Sequence, residues 1–382
     1  MIPNSPPPQA LLSRIRWGFA YLIVAHCLCL MGLRASSAAT DDIKIDRLFG
    51  PEIPTGRYKH PACFDVLRNG DLYLVYYGGD GEYAESTAVF GSRFRKGEKT
   101  WSKPLKIASH PLGSLGNGVV WQAPDGLVWL FFVVRPGATW SSSRISAKVS
   151  SDGAHSWSDS FPISFEEGTM VRSHPVALND GDFLLPVYLE TGKNTEFTAA
   201  TTCSFFLRFN PKTKTWKESN RIHSRLGNLQ PSAVQLDDQN LIALCRRGGD
   251  YNARNDAYIV RTESHDGGLT WSEGRDSEFP NPHAAIDLIR LKNGHLLLVY
   301  NDSMNDRTPL TAALSTDNGK TFPHRRNLIG GPGDFGYPTA IQTPDGMLHV
   351  LFTSDERTVI RHATFEERAL LKGSDQKPFA NP

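Results

Sequence analysis

Short apolar runs, each preceded by a polar turn, recur along the chain. Examples are LRNGDLYLVYYGG at 67–79 and LKNGHLLLVYN at 291–301. In each segment a tight turn leads into residues of high β propensity, which is typical of a β-hairpin. Six segments share this plan: 67–79, 123–134, 178–188, 236–246, 291–301 and 343–353. Because few other stretches carry a helical period, the sequence predicts an all-β protein.

The turns recur at a nearly constant interval. The turn position is occupied by Gly70, Gly126, Gly181, Gln239, Gly294 and Gly346. Successive positions are 56, 55, 58, 55 and 52 residues apart. A repeat of this length with several strands is typical of a β-propeller. We predict six blades, with the N-terminal strand at 43–49 completing the last blade and closing the ring, and a C-terminal helix at 362–373.

A second motif keeps the same interval and follows the pattern S-x-D-x-G-x-T-W. Its three copies are SSDGAHSW (150–157), SHDGGLTW (264–271) and STDNGKTF (315–322). The motif resembles the Asp-box of sialidases and other β-propeller proteins. Its aspartate accepts backbone N–H bonds inside a turn, and its aromatic residue packs between sheets. We therefore expect Asp152, Asp266 and Asp317 to serve the fold rather than catalysis.

The N-terminus and the net charge bear on location and partners. Residues 1–39 combine Arg14 and Arg16, an apolar run at 17–33 and small residues before Thr40, the pattern of a cleaved signal peptide. The alternative is a retained anchor. We expect a secreted or periplasmic protein with its propeller at 40–368 and a tail at 369–382. The formal charge of +1 argues against nucleic-acid partners and, after signal cleavage, against a membrane surface.

The cysteines outside the predicted signal peptide, and the histidines, indicate no cofactor. Cys63, Cys203 and Cys245 lie in apolar strand-like runs. Their odd number and irregular spacing favour buried free thiols over a disulfide framework or a zinc site. The histidines follow no metal-ligand spacing, and no phosphate-binding loop is present. We predict no metal and no cofactor, and the sequence does not indicate an oligomeric state.

The strand before each polar turn is the innermost of its blade, so the six strand starts face one shared opening. Polar side chains are concentrated there: Arg57, Lys59, His60, Asn117, Arg172, His174, Gln230, His283, Asp287 and Tyr337. Their convergence predicts a pocket for a polar, negatively charged ligand.

Over nearly the whole mature chain these segments resemble the sialidase superfamily, in particular its sialidase-like "predicted neuraminidase" branch. The resemblance implies three arginines that hold a carboxylated sugar, a tyrosine nucleophile activated by a glutamate, and an acidic residue as acid/base. By local pattern Arg246 and Arg307 match two of the arginines. Tyr337 matches the nucleophile, and Glu82 lies on the acid/base loop. Arg247, one residue after Arg246, is predicted to point to the opposite face and to lie on the surface.

Two positions depart from the family pattern. Lys59 stands at the first arginine and keeps its charge without its bidentate grip. Gln230 stands at the glutamate and cannot take a proton from Tyr337. The family's usual reaction therefore does not follow unchanged.

Three classes of function stay open. The first is an exo-glycosidase acting on glycans with a carboxylated sugar. Its catalytic candidates are Tyr337, Glu82, Gln230 and Asp287. Its substrate-binding candidates are Arg246, Arg307, Arg172, Lys59, His60, Arg57, Asn117 and His174. An acid and a base could also be drawn from Glu82, Glu85, Glu190 and Asp287.

The second class is a polysaccharide lyase. It would use His60, His174 or Tyr337 as base, and Arg172, Arg246 and Arg307 as the carboxylate clamp. The third is a carbohydrate-binding propeller without catalysis. The family resemblance leans toward an enzyme.

Overall fold

The structure, a computed structural model, describes residues 42–195 and 197–371. The predicted signal peptide lies outside these residues, as does most of the predicted tail. Within them the chain forms six antiparallel sheets, and consecutive strands of the sequence pair in order within each sheet. This is the six-bladed propeller that the repeats predict.

The first three blades run as follows. Blade one has β2 (Tyr58–Val66), β3 (Leu72–Gly79), β4 (Ala88–Phe94) and β5 (Leu105–Ala108). Blade two has β6 (Ser114–Gln122), β7 (Val128–Arg135), β8 (Arg144–Ser150) and β9 (Phe161–Pro162). In blade three the inner strand is split into β10 (Thr169–Val171) and β11 (Val176–Ala177), followed by β12 (Phe183–Leu189), β13 (Cys203–Asn210) and β14 (Thr215–Glu218).

The other three blades follow the same plan. Blade four has β15 (Asn228–Gln235), β16 (Leu241–Arg247), β17 (Tyr258–Ser264) and β18 (Arg275–Pro280). Blade five has β19 (Asp287–Arg290), β20 (Leu296–Asn301), β21 (Leu310–Ser315) and β22 (His324–Ile329). Blade six has β23 (Gly336–Gln342), β24 (Leu348–Ser354), β25 (Val359–Phe365) and, as its outer strand, β1 (Ile43–Phe49).

The ring closes as predicted. β1 pairs antiparallel with β25 in a register that places Ile43 opposite Phe365. The predicted helix at 362–373 is wrong in its first part, because β25 continues to Phe365 between two strand partners. Within the described part of this segment a helix, α1, forms at Arg368–Leu371, and its Ala369 and Leu370 are buried.

The second strand of each blade supplies much of the core. All eight residues of β3 are buried, as are all eight of β7. Burial on both faces explains why these runs read as continuously apolar rather than alternating. The three cysteines of the described chain are buried and free, as the sequence predicts.

The Asp-box residues have the structural role predicted for them. Asp266 accepts hydrogen bonds from the backbone of Leu269 (3.0 Å) and Thr270 (2.9 Å), and from the Thr270 hydroxyl (2.6 Å). The Trp271 ring then stacks on Phe206 of blade three, with ring centroids 4.2 Å apart. Each box thus joins a turn to the neighbouring sheet.

Candidate active site

One pocket lies at the end of the propeller's central channel where the inner strands begin. It encloses about 580 Å³, including its open mouth. Four of its lining residues, Asn117, Gln230, His283 and Tyr337, have positive φ, at 32°, 54°, 56° and 56°. Side chains other than glycine rarely adopt this conformation, and its local strain is often found at functional sites.

Strand irregularities direct these side chains into the pocket. The pairing of β15 with β16 shifts register between Leu229 and Ser232, so Gln230 lies in a bulge. The same shift occurs around Tyr337 in β23 and around Asn117 in β6. A bulge re-aims a side chain that regular alternation would direct elsewhere. The inner strands therefore present polar groups to the opening while their later residues build the core.

Tyr337 lies at the centre of the pocket and is only 9% exposed. Its hydroxyl oxygen accepts a hydrogen bond from Arg246 Nη1 at 2.8 Å, with Gln230 Nε2 at 3.5 Å. The His60 ring meets it edge-on, with centroids 4.1 Å apart. Burial raises the pKa of Tyr337, but the charges of Arg246, Arg307 and Arg357 outweigh burial and hold that pKa below its usual 10.0.

The orientation of the Gln230 amide is set by Arg246. Arg246 Nη1 lies 3.3 Å from Gln230 Oε1. Because a guanidinium can only donate, the amide oxygen must face it and the amide N–H₂ must face Tyr337. Gln230 therefore acts as a donor toward the tyrosine and provides no acceptor for its proton.

Three arginines surround the Tyr337 ring without a carboxylate partner in the described part of the chain. The guanidinium carbons of Arg172, Arg246 and Arg307 lie 5.5, 5.8 and 5.6 Å from the ring centroid. Arg172 donates to Thr339 Oγ1 and the Pro338 carbonyl, and Arg307 to the His283 carbonyl. Buried charges are normally paired. Unpaired cations here make the pocket an anion site.

A fourth arginine is already paired. Arg357, in the turn between β24 and β25, forms an ion pair with Glu82 and also approaches the Tyr58 hydroxyl at 3.5 Å. The Glu82 and Arg357 side chains are 21% and 25% exposed. Glu82 therefore lies in the pocket as a carboxylate engaged by a cation.

A second carboxyl group, Glu190, lines the same pocket. It follows β12, and its backbone N–H donates to the Gly168 carbonyl at 2.9 Å. Burial is the main cause that raises the pKa of Glu190 to about 7, although the charge of Arg246 acts in the opposite direction. Next to it, the Tyr188 hydroxyl accepts a hydrogen bond from Asn117 Nδ2 at 3.1 Å.

The pocket histidines are neutral. Burial, reinforced by the surrounding arginines, holds the pKa of His60 well below 6.5. Its Nδ1 lies 2.7 Å from the Thr353 hydroxyl, whereas its buried Nε2 has no hydrogen-bond partner in the described chain. Burial likewise lowers the pKa of His283, whose Nδ1 lies 2.8 Å from the Arg247 carbonyl. Arg246 Nε also lies 3.3 Å from this Nδ1, so the ring nitrogen has a carbonyl acceptor and a guanidinium donor as neighbours.

One side of the rim is aromatic. The Arg135 guanidinium carbon lies 4.3 Å from the centroid of the Tyr83 ring and 4.9 Å from that of Trp140. Trp140 packs so closely on β6 that a Cβ at Gly116 would lie 2.9 Å from its ring. On another side Tyr251, 42% exposed, approaches Arg246 Nη2 with its hydroxyl at 3.3 Å.

The structure brings together ten of the predicted residues. The pocket is lined by His60, Glu82, Asn117, Glu190, Gln230, Arg246, His283 and Tyr337. Arg172 and Arg307 contact the Tyr337 ring. Arg57 and Lys59 lie apart: the Arg57 side chain is 73% exposed near Glu356, and the fully buried Lys59 donates to the Gly56 carbonyl.

The prediction that Asp287 and His174 converge on this pocket is wrong. Both line a second cavity formed by later residues of the inner strands. Asp287 accepts from Ser232 Oγ at 2.9 Å and from the Ala340 N–H at 2.7 Å. Blade five instead places His283 in the pocket, four residues before Asp287.

The prediction that Arg247 lies on the surface is also wrong. It is 1% exposed and donates to the carbonyl groups of Asn281 (2.8 Å), Gly248 (2.9 Å) and Asp250 (2.9 Å). The loop after β16 folds back to cover the side chain. The alternation of β16 is correct, but the outward face is buried.

Tyr83, Trp140, Tyr251 and Arg357 line the pocket but were not predicted, because beyond the strand starts only carboxylates and matches to the family pattern were considered. In an antiparallel blade the loop from the second to the third strand lies at the same end as the start of the first. These loops, or the strand ends beside them, supply the four residues as well as the predicted Glu82 and Glu190. That topological rule would have found Tyr251 and Arg357 from the repeat alone.

No group of three or more His, Cys, Asp or Glu side chains arranged for a metal ion is found in residues 42–195 and 197–371. Over the same residues no helix is long and apolar enough to cross a membrane.

Solved structures with the same fold include several glycan-active enzymes. The NanB sialidase of Streptococcus pneumoniae matches with TM-score 0.69 and 12% identity, over 85% of this chain and 71% of that one. The intramolecular trans-sialidase of Ruminococcus gnavus matches with TM-score 0.68 and 13% identity, over 85% and 97%. The α-L-arabinofuranosidase Arb93A of Fusarium graminearum matches with TM-score 0.63 and 11% identity, over 86% and 98%.

At these identities the likeness shows the fold alone. No curated protein sequence matches the chain significantly. The sequence profile of the BNR repeat-like domain matches residues 70–350, which is well over half of the chain. Together with the six blades and the Asp-boxes, this match shows that the chain belongs to the BNR repeat-like domain family and has the propeller fold of sialidases.

Proposed function

We propose that the protein is an exported exo-glycosidase that releases a carboxylated sugar from the end of a glycan. The observation that carries this proposal is the set of arginines around Tyr337. Arg172 and Arg246 are 2% and 3% exposed and have no carboxylate partner among the described residues. A planar sugar carboxylate would supply the missing charge and accept bidentate hydrogen bonds.

Tyr337 is the nucleophile of this proposal, with a different activation from that of the family. Its oxygen faces two donors, Arg246 Nη1 and Gln230 Nε2, and no general base lies on it among the described residues. These donors stabilise the phenolate over the phenol, because the anionic oxygen is the stronger hydrogen-bond acceptor. Arginine charge thereby replaces the glutamate that the family uses to withdraw the proton.

Attack by the phenolate on the anomeric carbon would form a tyrosyl glycoside and release the aglycone. An aryl oxygen is a better leaving group than an alkoxide, so water can then hydrolyse the intermediate. The two-step route retains the anomeric configuration. A pocket closed at its base by Tyr337 admits a terminal sugar rather than the middle of a chain, which supports exo action.

The named neighbours support a glycan substrate without fixing the sugar. Two are described as a sialidase and a trans-sialidase, and the third as an arabinofuranosidase, so this fold serves both acidic and neutral sugars. The arginine cluster favours an acidic sugar here. The signal-like N-terminus supports an extracellular or periplasmic location, where such glycans are accessible.

The test is release of sugar by the purified protein from a matched panel of α-sialosides, uronides and neutral arabinofuranosides. We expect a free acidic monosaccharide from one acidic class and no turnover by Tyr337→Phe with the fold intact. Turnover of neutral glycosides alone would contradict the proposal. A product with the ultraviolet absorption of an unsaturated uronate would instead identify a lyase, in which Tyr337 abstracts a proton.

A further inference from the structure

We infer that Glu190, rather than Glu82, is the proton donor to the glycosidic oxygen. This inference rests on the proposed function and names the acid that the reaction requires. Both carboxyl groups line the pocket with Tyr337. The family pattern places Glu82 on the acid/base loop, but the contacts of the two groups favour Glu190.

Glu82 is committed to a cation. Its carboxylate forms the ion pair with Arg357 that holds together the turn of blade six and the loop of blade one. A carboxylate in an ion pair has no proton to give, and protonating it would leave the largely buried Arg357 without its partner. Glu82 therefore positions Arg357, whose charge in turn acts on Tyr337.

Glu190 has the opposite surroundings. Its backbone is fixed by the hydrogen bond to Gly168, a residue with φ of 87° whose hypothetical Cβ would lie 2.3 Å from the Glu190 carbonyl oxygen. Its carboxyl group makes no hydrogen bond or ion pair with any described residue, and it opens into the pocket. Glu190 is half-buried, and desolvation raises the pKa of its unpaired carboxyl to about 7, so a substantial fraction of the carboxyl groups carries a proton at neutral pH.

The reaction then balances without another group. In the first step Tyr337 Oη forms a bond to the anomeric carbon, the bond from that carbon to the glycosidic oxygen breaks, and the Glu190 proton moves to that oxygen. In the second step the Glu190 carboxylate takes a proton from water, whose oxygen attacks the anomeric carbon and releases the Tyr337 phenolate. Two carboxyl groups in one pocket thus have different protonation states and different roles.

A comparison of leaving groups tests the inference. We would measure kcat/KM of wild type, Glu190→Gln and Glu82→Gln on an acidic sugar linked either to 4-methylumbelliferone or to another sugar. The aryl group leaves without a proton, whereas the sugar alkoxide needs one. We expect Glu190→Gln to lose on the order of 100-fold or more on the sugar-linked substrate and less than about tenfold on the aryl glycoside.

Glu82→Gln is the matched control, and we expect it to slow both substrates to a similar extent. Azide should accelerate Glu190→Gln on the aryl glycoside and yield a glycosyl azide, because this anion needs no base to attack. Equal loss on both substrates with Glu190→Gln, or a selective loss with Glu82→Gln, would overturn the inference.

A binding experiment separates this inference from the proposed function. If wild type hydrolyses neither substrate, the proposed function fails, and the protonation of Glu190 is measured by the affinity for N-acetylneuraminic acid and glucuronic acid at pH 5 to 9. We expect wild type to lose affinity for these acidic sugars above pH about 7, because the deprotonated Glu190 carboxylate then repels the sugar carboxylate. Glu190→Gln should lose none. An identical profile for both proteins would overturn the inference.

The other titratable groups that face Glu190 do not produce this profile. Burial holds the pKa values of His60 and His283 well below 6.5, so both are neutral around pH 7, where the change is expected. Burial raises the pKa of Tyr188, so its hydroxyl stays protonated. The Glu82 carboxylate is paired with Arg357, and the Glu82→Gln control reports any contribution from it. Arg246 remains a cation, and Tyr337 is tested by Tyr337→Phe.

Discussion

Replacing Gln230 by glutamate should raise the pKa of Tyr337. In Gln230→Glu a carboxylate oxygen takes the place of Nε2, 3.5 Å from the Tyr337 oxygen. A unit charge at that distance from a phenolate costs about 5 kcal/mol at an effective dielectric constant of about 20. Since about 1.4 kcal/mol corresponds to one pKa unit, we expect the pKa to rise by about 3.5, against the effect of the arginines.

The assay is a spectrophotometric titration of the tyrosinate band in the near ultraviolet. The chain has 11 tyrosines. The titration curve of the same protein carrying Tyr337→Phe is therefore subtracted from each curve to isolate the signal of Tyr337. Gln230→Leu is the control, since it removes the weak N–H contact without adding charge, and its effect on the pKa should be small. A rise of less than about 1 with Gln230→Glu would refute the reasoning that neighbouring charge sets the ionisation of Tyr337.

Three further outcomes follow from contacts of the described chain. Arg246→Met should weaken binding of an acidic sugar by roughly 10- to 100-fold and leave that of its carboxyl-reduced analogue nearly unchanged, as measured by calorimetry. Asp266→Ala should lower the free energy of unfolding by about 2 kcal/mol, and Asp159→Ala by almost nothing, in denaturant titrations. Burial raises the pKa of Asp266, but hydrogen bonds outweigh burial and hold it below 3.8, so its stabilisation should persist above pH 3.8 and disappear on acidification below it. Gly116→Ala should displace Trp140 and raise KM for sugar-linked substrates while the unfolding temperature changes little.

The repeats predict the fold well because each blade is a local unit. Turn glycines and Asp-boxes mark hairpins whose partners are close in sequence, so the spacing alone indicates six blades. The sixth blade is the exception: the turn at Gly346 marks it, but its outer strand, β1, comes from the N-terminal end of the propeller. The helical pattern at 362–373 failed because a strand held between two partners overrides local propensity.

The site could be predicted only in outline. Strand starts converge for topological reasons, and this convergence identified Tyr337 and Gln230 without a structure, whereas Arg246 was identified through the family resemblance. Which residue of each start faces the pocket depends on bulges, and periodicity carries no information about them. For this reason both His283 and Asp287 were predicted to face the pocket, whereas His283 lines it and Asp287 lines the second cavity.

The pairing of Glu82 with Arg357 was equally invisible to the sequence. The two residues come from the first and the last blade, and they meet only because the ring closes. The sequence patterns around Glu82 and Glu190 gave no sign that the first is in an ion pair and the second is not.

Ring closure has a consequence for when activity can arise. Tyr337 is the second residue of β23 and Arg357 follows β24, so both belong to blade six. The outer strand of this blade, β1, comes from the opposite end of the propeller sequence. During synthesis β1 is made first and waits unpaired until β25 exists, which makes its pairing among the most non-local contacts of the fold. The nucleophile is therefore fixed in place only in a fully assembled chain, and a protein truncated at either end of the propeller should lose the same blade and the same chemistry.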